Sequence, residues 1–454
     1  MTETNAHPAD PGSGQQPLEA DRLRDILRAP GYLKILVFSA LLGIPVSLAA
    51  FWFLVGLHEM EHLVWADLPH GLGWDTPPWW WPIPLLLVAG VVVGLVAAHL
   101  PGAGGHVPAS GLHTDGTPPV TLPGILLAAV ASLPLGAVLG PEAPLIALGC
   151  GLALLFRDLT RTPATPQTTV LLGAAGAAAA IAAIFGNPLI AAVLLIEVAG
   201  AGGPQLFAVM LPALLSSGIG ALVFTGFGRW TGLETGSLSL KLPMPFPHLD
   251  AGDVLWTIPI ALALAVLLHP VLAAARRIAA YVSAGVVSRT VLCAVAAAGC
   301  ASLYALITGR TPADVALSGQ TTLGLLAADP YAWSVGALVA VLICKGIAYT
   351  LCLGSLRGGP VFPALFLGAA AGALLAPLPG LGVVPAMAAG MAAATASTLR
   401  LPVSSVVLVV LLLGGSAMMP IAILAAVIAF VTTELLPDRP ALPPASHAET
   451  TAAH

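Results

Sequence analysis

A chain of 454 residues with 58% hydrophobic and only 8% charged residues, and a mean hydropathy of +0.96, is excluded from the soluble class. A soluble domain needs about a quarter of its residues charged to cover itself in water. The net charge of −5 is small and spread out, with no basic stripe for nucleic acid and no acidic run for cations.

What remains is a multi-pass helical protein of the cell membrane, with room for roughly ten or more spans of about 20 residues. Its 49 glycines and 41 prolines are tolerated in a membrane where neighbouring elements satisfy the backbone. Cys150, Cys293, Cys300, Cys344 and Cys352 lie in apolar stretches without C-x-x-C spacing, so no disulfide frame and no zinc ribbon is expected. No cofactor is indicated.

Residues 1–30 are polar and carry both signs of charge. They lack the basic opening and short apolar core of a cleavable signal. They and residues 437–454 are expected to be aqueous tails flanking a membrane domain over 31–436. Apolar runs near 33–57, 80–100, 122–139, 206–227, 252–275, 333–354 and 418–436 predict membrane helices. Between them lie shorter runs, at 144–156, 188–200, 362–376 and 402–414, each opening at or near a proline as a first helical turn does. Such runs are too short to cross alone and point to broken helices that meet near the midplane.

The short runs repeat. Pro144-Leu-Ile-Ala-Leu-Gly149 pairs with Pro363-Ala-Leu-Phe-Leu-Gly368, and the Pro188 run pairs with the Pro402 run. The flanks Ala174–Ala183 and Ala388–Ala396 are also alike, and the offset stays within 214–219 residues. Two duplicated halves, about 31–228 and 250–436, are expected, joined through 228–250. Duplicated halves with interrupted helices are a common transporter and channel architecture.

Charge in hydrocarbon is costly, so each embedded ionisable residue is a candidate functional residue. Glu142, in Gly140-Pro-Glu-Ala-Pro144, stands at the mouth of a short helix. A helix N-terminus offers unpaired N–H groups and partial positive charge to an anion. A carboxylate there can occupy an anion site itself and vacate it on protonation; its bland reading is an acid that stabilises the helix. The glycine loops Gly102-Ala-Gly-Gly-His-Val-Pro108 and Arg357-Gly-Gly-Pro-Val-Phe-Pro363 have the same physics, since successive N–H groups make an anion nest. Taken singly, each is equally a plain turn.

His58-Glu59-Met60-Glu61-His62 matches H-E-x-x-H, in which two histidines one turn apart ligate zinc and the glutamate activates water. The pattern needs a third ligand, and none stands out downstream, so a polar helix end at the membrane surface is the stronger reading. Arg357 and Arg400 are either snorkelling ends or sources of positive potential, and Lys345 is either a buried partner of a carboxylate or a span end. Arg157, Arg161, Arg276 and Arg277 flank spans and favour the cytoplasmic side.

Together these pieces resemble the CLC family of chloride channels and proton-coupled chloride transporters, over roughly 35–436. The family's G-S-G-I-P loop looks like Gly104-Gly-His-Val-Pro108, and its G-[KR]-E-G-P looks like Gly140-Pro-Glu-Ala-Pro144. Its A-x-x-F-N-A-P-L-A-G-x-L-x-x-I-E is similar to Ala182–Glu197, and its G-x-F-x-P to Gly359-Pro-Val-Phe-Pro363.

The resemblance implies an all-α membrane protein, an inverted-repeat bundle of tilted, partly broken helices. It implies a homodimer in the lipid bilayer with one pore per subunit, carrying chloride or a similar small anion. It also implies Glu142 as the outer gate, with the anion held by Gly104, Gly105, His106, Val107, Gly140, Pro141, Ala143, Gly359, Pro360, Val361 and Phe362.

The departures bear on mechanism. The family's central serine falls on Gly105, and its C-terminal tyrosine has no counterpart, since no tyrosine follows Tyr349. Pro360 has no N–H to offer an anion. The inner proton-transfer glutamate falls on Val198, beside Glu197, which points about 100° away on a helix. The sequence therefore favours passive, channel-like anion conduction opened by protonation of Glu142. Proton-coupled exchange through Glu142 and Glu197 is the alternative, and an intramembrane zinc protease built on His58 and His62 a distant third. No enzyme activity is expected on the first two readings.

Overall fold

The computed structural model describes residues 24, 27–28, 31–113, 116–162, 165–199, 203–233, 240 and 248–442. Most of the N-terminal tail, residues 443–454 and most of the expected connection between the halves lie outside the described residues.

The described residues are mostly helical. Helix α1 covers Tyr32–His62 and continues through a π-helical turn, Leu63–Asp67, into a last turn, Leu68–Gly71. The H-E-x-x-H residues therefore sit inside a long helix rather than at its end. Then follow α2 (Pro82–His99), α3 (Leu122–Ser132), α4 (Glu142–Leu159), α5 (Pro166–Phe185), α6 (Pro188–Ala199) and α7 (Gly203–Thr231). The second half carries α8 (Ala251–Ser283), α9 (Val286–Thr308), α10 (Gln320–Ala328), α11 (Val335–Ser355), α12 (Val361–Leu375), α13 (Val383–Leu399), α14 (Pro402–Leu412) and α15 (Met419–Leu435).

Among the described residues eight helical stretches are long and apolar enough to cross a membrane, and α3, α6, α12, α13 and α14 are shorter apolar helices. The protein is a multi-pass membrane protein.

Most expected spans appear within a few residues of their predicted bounds. Two run on, α1 through its further turns to Gly71 and α8 to Ser283, and one stops short: the apolar run 122–139 is helical only to Ser132. Pro134 restrains the residue before it, and Gly136 takes φ +108, outside helical space. Four helices were not separated by the hydropathy pattern, α5, α9, the short α10 and α13. The first and last are rich in alanine and glycine, whose mild hydropathy hides a boundary. Their small side chains instead allow close packing, as expected where helices associate inside a bilayer.

That packing is duplicated. A Cβ on Gly149 of α4 would strike the backbone carbonyl of Gly176 on α5, and the reverse holds. In the second half, Gly368 of α12 and Gly390 of α13 block each other in the same way. Both pairs stand at the repeat offset read from the sequence. The contacts at the heart of the two halves are thus made by equivalent residues.

Candidate functional site: a carboxylate between two helix ends

Helices α4 and α12 begin deep in the protein, and the loops before them meet. Gly140 N–H donates to Gly359 O at 2.8 Å, and Gly359 N–H donates to Gly140 O at 2.6 Å, an isolated antiparallel bridge. The bridge aims the first turn of each helix at the same small volume.

Glu142, the first residue of α4, fills that volume. Its side chain is 1% exposed. Its Oε1 accepts the backbone N–H of Phe362, in the first turn of α12, at 2.9 Å. Its Oε2 finds no partner among the described residues. A Cβ at Gly359 would fall on the carboxylate, so only glycine leaves it room. A free N–H at the start of an apolar helix, in a dry setting, is an anion-binding element. Here the carboxylate is the anion that uses it.

Supporting groups hold the loops in register. Tyr349 Oη, fully buried on α11, donates to Pro360 O at 2.8 Å. Ser132 Oγ donates to Arg357 O at 2.7 Å. The Arg357 guanidinium is 8% exposed and donates to Ala103 O at 3.1 and 3.2 Å and to Leu356 O at 3.1 Å. It therefore ties the 357–363 loop to the 101–105 loop and is no snorkelling end. Tyr349 and Ser132 carry no sequence signal for this role; they sit in ordinary apolar helices, and only the fold brings them here.

The structure thus brings Gly140, Pro141, Glu142 and Ala143 together with Gly359, Pro360, Val361 and Phe362. The third loop behaves differently from expectation. Gly102, Ala103, Gly104 and Gly105 all have positive φ, from +48 to +98. No α-helix follows: Pro108–Ser110 is one 3₁₀ turn, ended by Gly111 at φ +97. Without several aligned turns this loop lacks the dipole of a helix end. His106 is exposed and stacks on His113, ring centres 5.0 Å apart. Val107 uses its carbonyl to accept from Ser110 Oγ.

Glu197, near the end of α6, caps α14. Its two oxygens accept Val403 N–H at 2.9 Å and Ser404 N–H at 2.7 Å. Val198 beside it is half-buried against the core. Lys345 is fully buried and donates to the carbonyls of Asp314, Val315, Ala316 and Leu317 at 2.9–3.3 Å, which makes it a clamp on a turn. Arg400 adopts φ +58 and pairs with Glu434 at 3.2 Å.

In the H-E-x-x-H segment, His62 pairs with Asp67 at 3.2 Å, both exposed. Among the described residues no group of three or more His, Cys, Asp or Glu could hold a metal. His58 and Glu61 instead line a cavity of about 50 Å³ with Ser318, Gln320 and Pro141, the residue before Glu142. Such a volume accommodates a few waters.

Residues 103–434 match the family model described as voltage gated chloride channel. A protein of Salmonella choleraesuis (strain SC-B67) named "Putative ion-transport protein YfeO" is 26% identical over 362 residues, covering 77% of this chain and 82% of that one. The fold is similar to the crystal structure of a slow cyanobacterial Cl⁻/H⁺ antiporter, with a TM-score of 0.72, 17% identity, and 92% and 96% of the two chains covered. It is also similar to a CLC-type fluoride/proton antiporter, with a TM-score of 0.66, 18% identity, and 89% and 96% coverage.

Proposed function

Because the chain belongs to the voltage gated chloride channel family and so transports anions across the membrane, we propose that Glu142 is the gate of its anion pathway. One observation carries this reading: the Glu142 carboxylate occupies the Phe362 N–H at the start of α12. A small anion and this carboxylate compete for the same donor. Protonation removes the negative charge that the helix end favours, the side chain leaves, and an anion takes its place. Acid therefore opens the pathway.

Passive conduction follows from what lies below the gate. Val198 cannot carry a proton, and Glu197 is committed to two backbone N–H groups of α14. The anion is chloride or a similar small anion, and the assembly is a homodimer with one pathway per subunit.

A second reading is proton-coupled antiport, the activity of the cyanobacterial antiporter and the fluoride/proton antiporter whose folds this chain resembles. It requires a proton route that Glu197 would have to leave its cap to provide. The deciding experiment is chloride efflux from liposomes holding the purified protein and a proton-sensitive dye. Efflux without proton movement supports passive conduction. Opposed proton uptake overturns it in favour of antiport. Absence of flux for chloride, fluoride and nitrate alike would remove both.

A further inference from the structure

The H-E-x-x-H segment is divided between two faces of α1. Glu59 is exposed, and His62 turns to Asp67. His58 and Glu61, three residues apart and so on one face, line the cavity of about 50 Å³ beside Pro141. Neither side chain takes a hydrogen bond or an ion pair among the described residues. A carboxyl group and an imidazole left open in a membrane helix call for a function.

The cavity is a built feature, walled by three segments that are sewn together. The π-helical turn Leu63–Asp67 follows Glu61 almost at once, and such turns often mark functional sites. It carries Trp65, whose Nε1 donates to Pro134 O at 2.9 Å and whose ring would block a Cβ at Gly136. Leu317 N–H donates to Gly136 O at 3.2 Å. Lys345 holds the carbonyls of residues 314–317 from the other side, which fixes Ser318 and Gln320 at the cavity.

Few titratable groups face this place. The 133–141 loop has none of its own and leads into Glu142. The turn over 314–320 brings Asp314, which is committed to Arg310 at 2.9 Å and Tyr304 at 3.2 Å. Helix α11 brings Lys345, within electrostatic reach of Glu61 but occupied by carbonyls. Of the helices packed on α1, α5 has no titratable residue and α7 has only Arg229, which is exposed. Helix α4 has Glu142 at the end that meets the cavity, and Arg157 and Asp158 paired to each other at the opposite end. His58 and Glu61 are the groups at the cavity free to exchange a proton.

We propose that Glu61, supplied by His58, delivers the proton that opens the gate, through water held in this cavity. The proposal rests on the gate reading above. Pro141, in the cavity wall, is the residue before Glu142. Glu142 Oε1 is held by Phe362 N–H, so the buried, unpartnered Oε2 is the atom left to receive a proton. In the step, the O–H bond of the Glu61 carboxyl breaks and its proton passes to a cavity water. That water gives one of its own protons to Glu142 Oε2. Glu61, left as a carboxylate, regains a proton from the His58 imidazolium, and His58 regains its own from water outside. An imidazole changes charge between pH 5 and 8, in the range where such a supply is needed. Glu61 is thus a positioning residue: it touches no anion and acts through Glu142.

Anion flux from liposomes after a rapid drop in pH, followed by stopped flow on the full-length protein, tests this. Glu61→Gln has no proton to release and is expected to slow the acid-driven rise of flux at least about tenfold, a low bound for a positioned proton-transfer group. Glu61→Asp keeps the carboxyl and should recover most of the rate, which separates proton delivery from a folding defect. In the Glu142→Gln background the gate has no proton to receive, and Glu61→Gln should then make no further difference. A rise as fast in Glu61→Gln as in the wild type overturns the inference and leaves the gate reading standing. So does a Glu61→Asp variant as slow as Glu61→Gln, or a further loss of flux when Glu61→Gln is added to Glu142→Gln. A wild type whose flux ignores pH and equals that of Glu142→Gln removes the gate reading, and the inference falls with it.

Discussion

Gly140 and Gly359 exchange both of their backbone hydrogen bonds, and they are equivalent residues of the two halves. Equivalent residues that bridge each other antiparallel must straddle the local twofold that relates their halves. Helices α4 and α12 therefore approach from opposite sides and present their N-termini to one place. The symmetry is broken at the next step. The residue equivalent to Glu142 is Val361, so one half supplies a carboxylate and the other an open N–H at Phe362. A symmetric pair of carboxylates would repel, and a symmetric pair of open helix ends would leave no carboxylate to fill the space between them.

Replacing Glu142 with Gln is expected to raise anion flux at neutral pH several-fold and to abolish its rise in acid. The neutral amide is no substitute for an anion at a helix end. In the wild type, flux rises as pH falls, because the protonated carboxyl competes less well for the Phe362 N–H. Flux measured from acid to mildly basic pH, in both proteins, checks the sign. A wild type indifferent to pH, with a variant that matches it, would remove Glu142 from the gate.

The duplicated glycine contacts predict a matched set of variants. Gly176→Ala and Gly390→Ala place a methyl group against backbone on a facing helix. Overpacking of this kind costs about 1–3 kcal/mol. Gly173→Ala, on the same helix as Gly176 but with nothing within 4 Å of the added Cβ, should be neutral or gain up to about 1 kcal/mol from helix propensity. Thermal unfolding in detergent should order the three accordingly, and equal melting of Gly173→Ala and Gly176→Ala would contradict the packing.

Lys345→Met is expected to be severely destabilising. It leaves the carbonyls of residues 314–317 without their donor in a fully buried place. Each buried carbonyl left without a donor costs about 1–3 kcal/mol. The yield of monodisperse protein should fall sharply, and a variant purified at wild-type yield with an unchanged melting temperature would show that the clamp is dispensable.

Glu197→Ala removes the cap of α14 and should cost about 1 kcal/mol. The loss should show as a lower melting temperature and as faster amide exchange at Val403 and Ser404. If the residue instead served a proton route, the variant would keep its stability and lose proton movement in the liposome assay.

The sequence by itself determined the class and most of the spans, and it singled out Glu142 as the candidate gate. Low charge and high hydropathy act over the whole chain, and helix periodicity in a membrane needs no distant partner to be recognised. Glu142 was legible because a carboxylate within a Gly-Pro turn at a helix start is a local pattern, and the repeat was legible because it compares one stretch of letters with another. The boundaries of α5, α9 and α13 were not, since mild alanine-rich hydropathy marks no edges.

Only the tertiary structure decided what the remaining charged residues do. Lys345 is a clamp because residues 314–317 fold back over it. Glu197 is a cap because α14, over two hundred residues later, begins at its oxygens. His106 is exposed because the loop that carries it runs on into a single 3₁₀ turn, Pro108–Ser110, and not into a helix. Arg276 of α8 reaches Pro440, beside Arg439, because the segment after α15 packs back on the bundle. Each of these roles depends on a partner far away in the chain, and such pairings are settled by packing rather than by local pattern.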